Sequence, residues 1–430
     1  MIQNYPQLMN VFFCTAGILM LLLLVYKNHI ISVFDPLFIF LMTQAFSIEL
    51  AFLQISNSFF LINFLLCQLF FVFGFFTFVE QKKPAKFTYK LLNANTKSLE
   101  ILQFFSNACF LFIMIINIYL ISKKGFALFT DDPTVAKVEF YTGGEGLGFI
   151  KRVNWGLLYL TGFIQLYLYL IKNKLVYLIM LLLLMVILGL SGSKGAMVFF
   201  LFAYTLFGLF NDVKYINQFK HLNTGKYILI TIIFILSLFV IFNSVNNHSL
   251  ETAFLGLGTR FLFFGDAIIY YYKKYDVRHF AIYRCWDFIP YEFNSILGFF
   301  RLTNYKLPLG FEMVGYKFRN SDSSWGPNVP FYVKGHIFFG DYGVLLYAFF
   351  VGGVIGRIRG LLYKIDASKK SLLFTLLIIF LNIEIYGFAQ DSQLFISIIF
   401  DTFIFSVPFI ILWYLYDFGA TAYNKRLLIS

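Results

Sequence analysis

Long uncharged runs recur along this chain with short connectors between them. Apolar stretches lie near residues 8–26, 36–55, 58–79, 101–122, 155–171, 175–190, 195–210, 227–243, 336–356, 371–388 and 393–416. Each approaches the roughly 20 residues that a helix needs to cross a hydrocarbon core. The pattern predicts an all-α, polytopic integral membrane protein with about 11–12 transmembrane helices. One further apolar stretch, 253–272, is ambiguous. Its Thr259, Asp266, Tyr270 and Lys273 are spaced by seven, four and three residues and share one helical face. A polar stripe on a Phe/Leu/Ile body suits a helix lying along the interface; the alternative is a plain twelfth span. No heptad seam, solenoid repeat or inverted repeat accompanies the spans.

Lys and Arg set the orientation. The connector 80–100 carries Lys82, Lys83, Lys86, Lys90 and Lys97, and 357–370 carries Arg357, Arg359, Lys364, Lys369 and Lys370. Lys172, Lys174, Lys214, Lys220 and Lys226 occupy two more connectors. All belong in the cytoplasm if 253–272 does not cross. The N-terminus is then external, the C-terminus cytoplasmic, and 244–335 forms one long periplasmic loop containing interfacial helices. A smaller external loop, 123–154, reads as a solvated connector.

Composition agrees with this class. The chain is 60% hydrophobic and 13% charged, about half the charge of a soluble protein, with a mean hydropathy of +0.76. Its 430 residues read as a single integral membrane domain. The net charge of +12 follows from basic cytoplasmic loops and calls for no nucleic acid. Cys14, Cys67 and Cys109 fall inside apolar runs and Cys285 stands alone, so no pair has metal-ligand spacing. The first run lacks a basic leader and a small-residue cleavage site, and reads as a retained span.

The stretch Asn243–Gly335 holds ten Lys or Arg and is the one large place where aqueous chemistry can be assembled. Arg260, Arg278, Arg284, Arg301 and Arg319 offer planar donor forks that match phosphate oxygens. Arg260 sits in a helix-like Phe/Leu setting where an unpartnered charge is costly. His336 opens an apolar span at the end of the loop and can accept a proton near neutral pH. Gly340 and Gly343, four and seven residues on, are expected on its helical face, admitting a neighbouring helix or lipid chain. Asp322, Trp325 and Asn328 lie in Ser321–Asn328, a segment suited to holding sugar or to forming a Gly-Pro turn. Lys194, in the turn Ser191-Gly192-Ser193-Lys194-Gly195, offers a cation among exposed amides. Glu49, Glu384, Asp391 and Asp401 fall inside spans and are expected chiefly as ion-pair partners. No pattern supports a bound metal.

Several of these patches together resemble one family. The Gly-Ser-Lys-Gly turn at 192–195, Arg260 followed by Gly265-Asp266, and Gly326-Pro327-Asn328-Val329-Pro330-Phe331 leading into Gly335-His336 and Gly340-Asp341-Tyr342-Gly343 are similar to the Wzy-type O-antigen or capsule repeat-unit polymerases. The turn commonly has Arg where this chain has Lys194. The resemblance implies a metal-independent membrane glycosyltransferase without cofactor in the bacterial inner membrane. It joins oligosaccharide units carried on undecaprenyl diphosphate at the periplasmic face. It also implies membrane lipids, a chain-length regulator and a flippase as partners. By likeness to the related ligases, Arg260 contacts the diphosphate and His336 orients or deprotonates the acceptor hydroxyl; Asp266 joins them as a catalytic candidate. Lys194, Arg278, Arg284, Arg301, Arg319, Asp322, Trp325 and Asn328 are expected to bind substrate. The rival readings are a flippase or exporter for the same lipid-linked sugars, the O-antigen ligase, a sugar acyltransferase using His336 with Asp341, and a non-enzymatic scaffold.

Overall fold

The computed structural model describes residues 5–79, 96–125, 148–190, 195–207, 265–272, 280, 282–303, 306, 308–318, 326–364 and 372–427. Among these residues the regular structure is helical, with no strand. Seven helices among the described residues are long and apolar enough to span a bilayer. The chain is an all-α, multi-pass membrane protein. The expected runs 8–26, 36–55, 58–79, 101–122, 336–356, 371–388 and 393–416 each fall on one of these seven. The run 155–171 lies within a helix at Gly148–Lys172, and the next two lie on shorter apolar helices. Run 227–243 and most of 253–272 lie outside the described residues.

The residues form two compact units. The first is built on α1 (Tyr5–Tyr26), α2 (Pro36–Gln54), α3 (Ser58–Phe78) and a long helix, Phe331–Lys364. Asp35 starts α2, its carboxylate accepting from the Leu37 amide at 2.9 Å, with Pro36 in the first turn where no amide proton is needed. Asn57 caps α3 in the same way, accepting from the Phe59 amide. Short helices join this unit from the long loop: α8 (Ala267–Tyr271), α9 (Phe288–Glu292) after a 3₁₀ turn at Cys285–Asp287, α10 (Asn294–Phe299) and α11 (Leu309–Phe318).

The second unit contains α4 (Thr96–Lys124), α5 (Gly148–Lys172), α6 (Leu175–Leu190) and α7 (Gly195–Phe207). Arg152 of α5 grips Asp401 through Nε at 3.0 and 3.1 Å. Asn117 and Asn154 exchange side-chain hydrogen bonds. Asp401 belongs to a helix at Ser392–Leu427, so the expected pairing of this intramembrane acid is found, with the cation coming from the smaller loop region.

The long helix, α12 (Phe331–Lys364), differs from the expected 336–356 span at both ends. It begins directly after Pro330, whose carbonyl accepts the first helical bonds from Val333 and Lys334. It runs on through Arg357 and Arg359, which the sequence reading placed in a cytoplasmic loop. Arg359 is wholly buried and paired with Asp35, and Nη2 also donates to the His29 carbonyl at 2.7 Å. A neutralised ion pair adds nothing to the positive charge of a loop; Arg357 and Lys364 remain exposed.

α3 and α12 run in the same direction and touch through glycine. A Cβ at Gly352 would meet the Phe71 carbonyl oxygen at 2.1 Å, at Gly356 the Phe75 oxygen at 2.3 Å, and at Gly74 the Phe349 oxygen at 2.0 Å. Asn63, one turn into α3, donates to the Asp341 carbonyl at 2.7 Å, fixing the register near the start. Both helices therefore end at the same end of this unit.

This seam predicts a large cost for a single methyl group. Gly352→Ala should destabilise the detergent-solubilised protein by about 1–3 kcal/mol through overpacking. Gly17→Ala, where a Cβ meets nothing within 4 Å, should not destabilise it, since Ala is the better helix former. Unfolding midpoints checked side by side measure this; equal midpoints would contradict the seam.

Candidate functional site

The site is built where α12 breaks. Gly340 has φ 68° and ψ −168°, a backbone conformation open essentially to glycine alone. The expectation that Gly340 and Gly343 share a helical face with His336 is corrected by this kink. Gly340 serves the backbone, and a Cβ at Gly343 would strike Phe339 at 2.6 Å. The close helix approach falls instead to Gly352 and Gly356.

The kink swings Asp341 back beside His336. His336 Nε2 lies 2.7 Å from Asp341 Oδ1, and Nδ1 lies 2.5 Å from the Tyr271 hydroxyl on α8. Burial first, and the Asp341 carboxylate after it, push the Tyr271 hydroxyl far above the ordinary tyrosine range, so it keeps its proton and donates. His336 Nδ1 is then the acceptor, and Nε2 carries the hydrogen that it donates to Asp341. The rings of Phe60, Tyr271 and Tyr272 pack around the imidazole. Tyr271 and His336 are buried, whereas the Asp341 side chain is 42% exposed. The arrangement is a relay of two buried groups that orients one accessible carboxylate.

A second polar cluster lies on the same first turns of α12. Lys334 Nζ donates to Glu292 Oε2 of α9 at 3.0 Å and to Ser392 Oγ at 2.8 Å, with Asp391 Oδ1 at 3.7 Å. Lys334 and Glu292 are almost fully buried. A buried ammonium paired in this way holds the loop helix to the span and is not available to an anionic substrate. The apolar pattern leaves Lys334 in the loop, whereas Pro330 just before Phe331 is the helix-start signal that places it on α12. Asp391 takes its expected ion-pair role here.

Nearby, Glu312 of α11 accepts from the Tyr283 hydroxyl at 2.7 Å and from the Tyr291 hydroxyl at 3.1 Å. Both tyrosine rings pack on Phe338 of α12. Burial, followed by Glu312, raises the Tyr283 hydroxyl and keeps it a donor. None of these three residues was singled out from the sequence; loop tyrosines carry no signal of their partners.

The remaining expected residues divide sharply. Arg260, Lys194, Arg278, Arg319, Asp322 and Trp325 lie outside the described residues. Arg284 and Arg301 stand exposed toward the two ends of the segment that carries α9 and α10. Asn328 is exposed in the turn before α12. That turn closes tightly on α11, since a Cβ at Gly326 would meet the Gly310 carbonyl at 2.2 Å. Asp266 immediately precedes α8, four residues after which comes Tyr270 and five after which comes Tyr271. Its neighbour Gly265 lies against Ser47 of α2. Among the described residues, no three His, Cys, Asp or Glu side chains gather as metal ligands. No family model, curated protein or solved structure matches this chain.

Asp266 gives a pH test. Burial pushes its carboxyl up to about 7, against weaker opposition from backbone hydrogen bonds. The folded protein therefore holds this proton over a range where the unfolded chain, at about 3.9, has lost it. Stability should fall as pH rises from about 4 to about 7 and level off above. Asp266→Asn should flatten that part of the profile in detergent thermal unfolding. Parallel curves for the two proteins would contradict the assignment.

Proposed function

We propose that the chain is a membrane polysaccharide polymerase that joins lipid-linked oligosaccharide units at an external membrane face. The observation that carries the reading is the Tyr271–His336–Asp341 relay. Its only accessible group is the Asp341 carboxylate, just past the kink in the first third of α12. In this reading the roles inferred from sequence shift one step along the relay. Asp341 takes the proton from the acceptor hydroxyl, and His336 orients Asp341 with Tyr271 behind it.

The hydroxyl oxygen attacks the anomeric carbon of the donor sugar, the bond from that carbon to the diphosphate breaks, and undecaprenyl diphosphate leaves. Charge on the leaving group falls to the arginines of the loop, with Arg260 first among them. An extracytoplasmic reaction has no nucleotide triphosphate to draw on, so the bond energy arrives within the diphosphate-linked donor. What the protein supplies is positioning and charge stabilisation. The bacterial inner membrane and the partner proteins of a polysaccharide assembly line belong to the same proposal.

One observation also favours a sugar acyltransferase, for which a histidine with an acidic neighbour is the minimum requirement. The 2.7 Å His336–Asp341 contact meets it. The readings separate in cells. Loss of the gene should leave surface polysaccharide as single repeat units without a ladder. Loss of an acyl group from an intact ladder indicates the acyltransferase, and loss of single units as well as ladder indicates a flippase.

Within the polymerase reading, Arg260→Ala and Asp341→Asn should each abolish the ladder while the protein stays inserted. General-base loss alone is worth about 10²–10⁴ in rate. Normal ladders from Asp341→Asn would remove the relay from the mechanism.

A further inference from the structure

The loop segment around α9 and α10 buries polar groups and exposes apolar ones, beside the Tyr283 and Tyr291 rings that it packs on α12. Its inward face carries polar groups: Glu292 is 3% exposed and held by Lys334, and Asn294 is 0% exposed, exchanging hydrogen bonds with the Lys306 backbone at 2.6 and 3.0 Å. Its outward face is apolar. Ile282, Trp286, Ile289, Phe293, Phe300 and Leu302 are all exposed, Trp286 by 82%. Trp286, Ile289 and Phe293 follow one another at spacings of three and four through the 3₁₀ turn and α9, which keeps them on one side. A segment facing water places such groups the other way round, and a contiguous apolar patch of this kind marks a contact surface.

The occupant follows from what adjoins the patch. Phe288, between the two faces, packs on Phe339 at 5.0 Å and Tyr347 at 5.5 Å, fixing the segment to α12 beside the kink. On α12 itself Tyr342, Leu346 and Phe350 are exposed in a row four residues apart, running along a span. The patch therefore adjoins a lipid-facing stripe. Arg284 and Arg301, exposed near its ends, supply the cationic rim that anionic headgroups attract. An exposed indole with guanidinium neighbours is the makeup of the membrane–water boundary.

We propose that Ile282–Leu302 is a bilayer-seated platform. Its apolar side chains enter the boundary between headgroups and acyl chains beside Asp341, with Arg284 and Arg301 against anionic headgroups. The partner is the lipid surface itself. This holds whatever reaction the protein performs. If the polymerase reading also stands, a substrate with a lipid tail reaches Asp341 without leaving the membrane.

Cys285 is exposed next to Trp286, and of the other cysteines only Cys14 is exposed. An environment-sensitive fluorophore on Cys285 in a Cys14→Ser background reports on the platform directly. The full chain is reconstituted in vesicles of phosphatidylcholine with or without phosphatidylglycerol. The expected result is blue-shifted emission, quenched more by a nitroxide near the top of the acyl chain than by one near the bilayer centre, and little by aqueous iodide. Arg284→Gln with Arg301→Gln should shift the emission to the red only in the anionic vesicles. Water-like emission quenched by iodide would overturn the platform. A blue shift that vanishes when each vesicle holds a single protein would overturn it in favour of a second copy of this chain. Emission indifferent to the arginine substitutions in anionic vesicles would overturn the headgroup contact.

Discussion

Close approach of α3 and α12 is the constraint on which the rest of the first unit depends. Gly74, Gly352 and Gly356 bring the two backbones within reach of each other's carbonyls, where any side chain would hold them apart. In lipid there is no hydrophobic force between helices, so packing of this kind and hydrogen bonds between them supply the association. The Asn63 bond to the Asp341 carbonyl then sets where α12 stands along α3. Move that register by a turn and the kink, Asp341 and the rings around His336 lose their relation to one another.

Buried charge secures both ends of the same helix. Arg359 near one end holds Asp35 and the chain between α1 and α2. Lys334 near the other end holds Glu292 of the loop and Ser392. Breaking such a pair by removing one partner leaves an uncompensated charge and costs about 3–5 kcal/mol, whereas the pair itself adds little net stability. These contacts specify geometry. They seat the loop helices on α12, and the loop in turn brings Tyr291, with Tyr283 beside it, onto Phe338.

The spans were legible because lipid imposes one requirement, length of apolar helix, that a local pattern can report. Their ends were less so. Pro330 and Phe331 mark the true start of α12, but the apolar run begins only at Ile337, so Lys334 and His336 read as loop and lip. At the other end Arg359 looks like a loop cation until its partner Asp35, more than three hundred residues away, is seen. Gly340 was noticed but its meaning inverted, since sequence does not distinguish a glycine needed for space from one needed for backbone conformation. His336 was legible as a candidate and Asp341 as its neighbour. Tyr271 was not, because a hydrogen bond across 65 residues leaves no trace in spacing. The arginines chosen for their chemistry divide between exposed positions and residues outside the described structure.

In the proposed function an accessible carboxylate, oriented by buried histidine and tyrosine, deprotonates the hydroxyl that takes a saccharide from a lipid diphosphate. The most direct test is reconstitution of the purified chain in vesicles with a single undecaprenyl-diphosphate-linked oligosaccharide, with product length and free undecaprenyl diphosphate measured together. The account predicts a ladder of longer lipid-linked glycans, with undecaprenyl diphosphate released in step with each new linkage. Substrate that stays at one repeat unit, or that changes leaflet without lengthening, would contradict it.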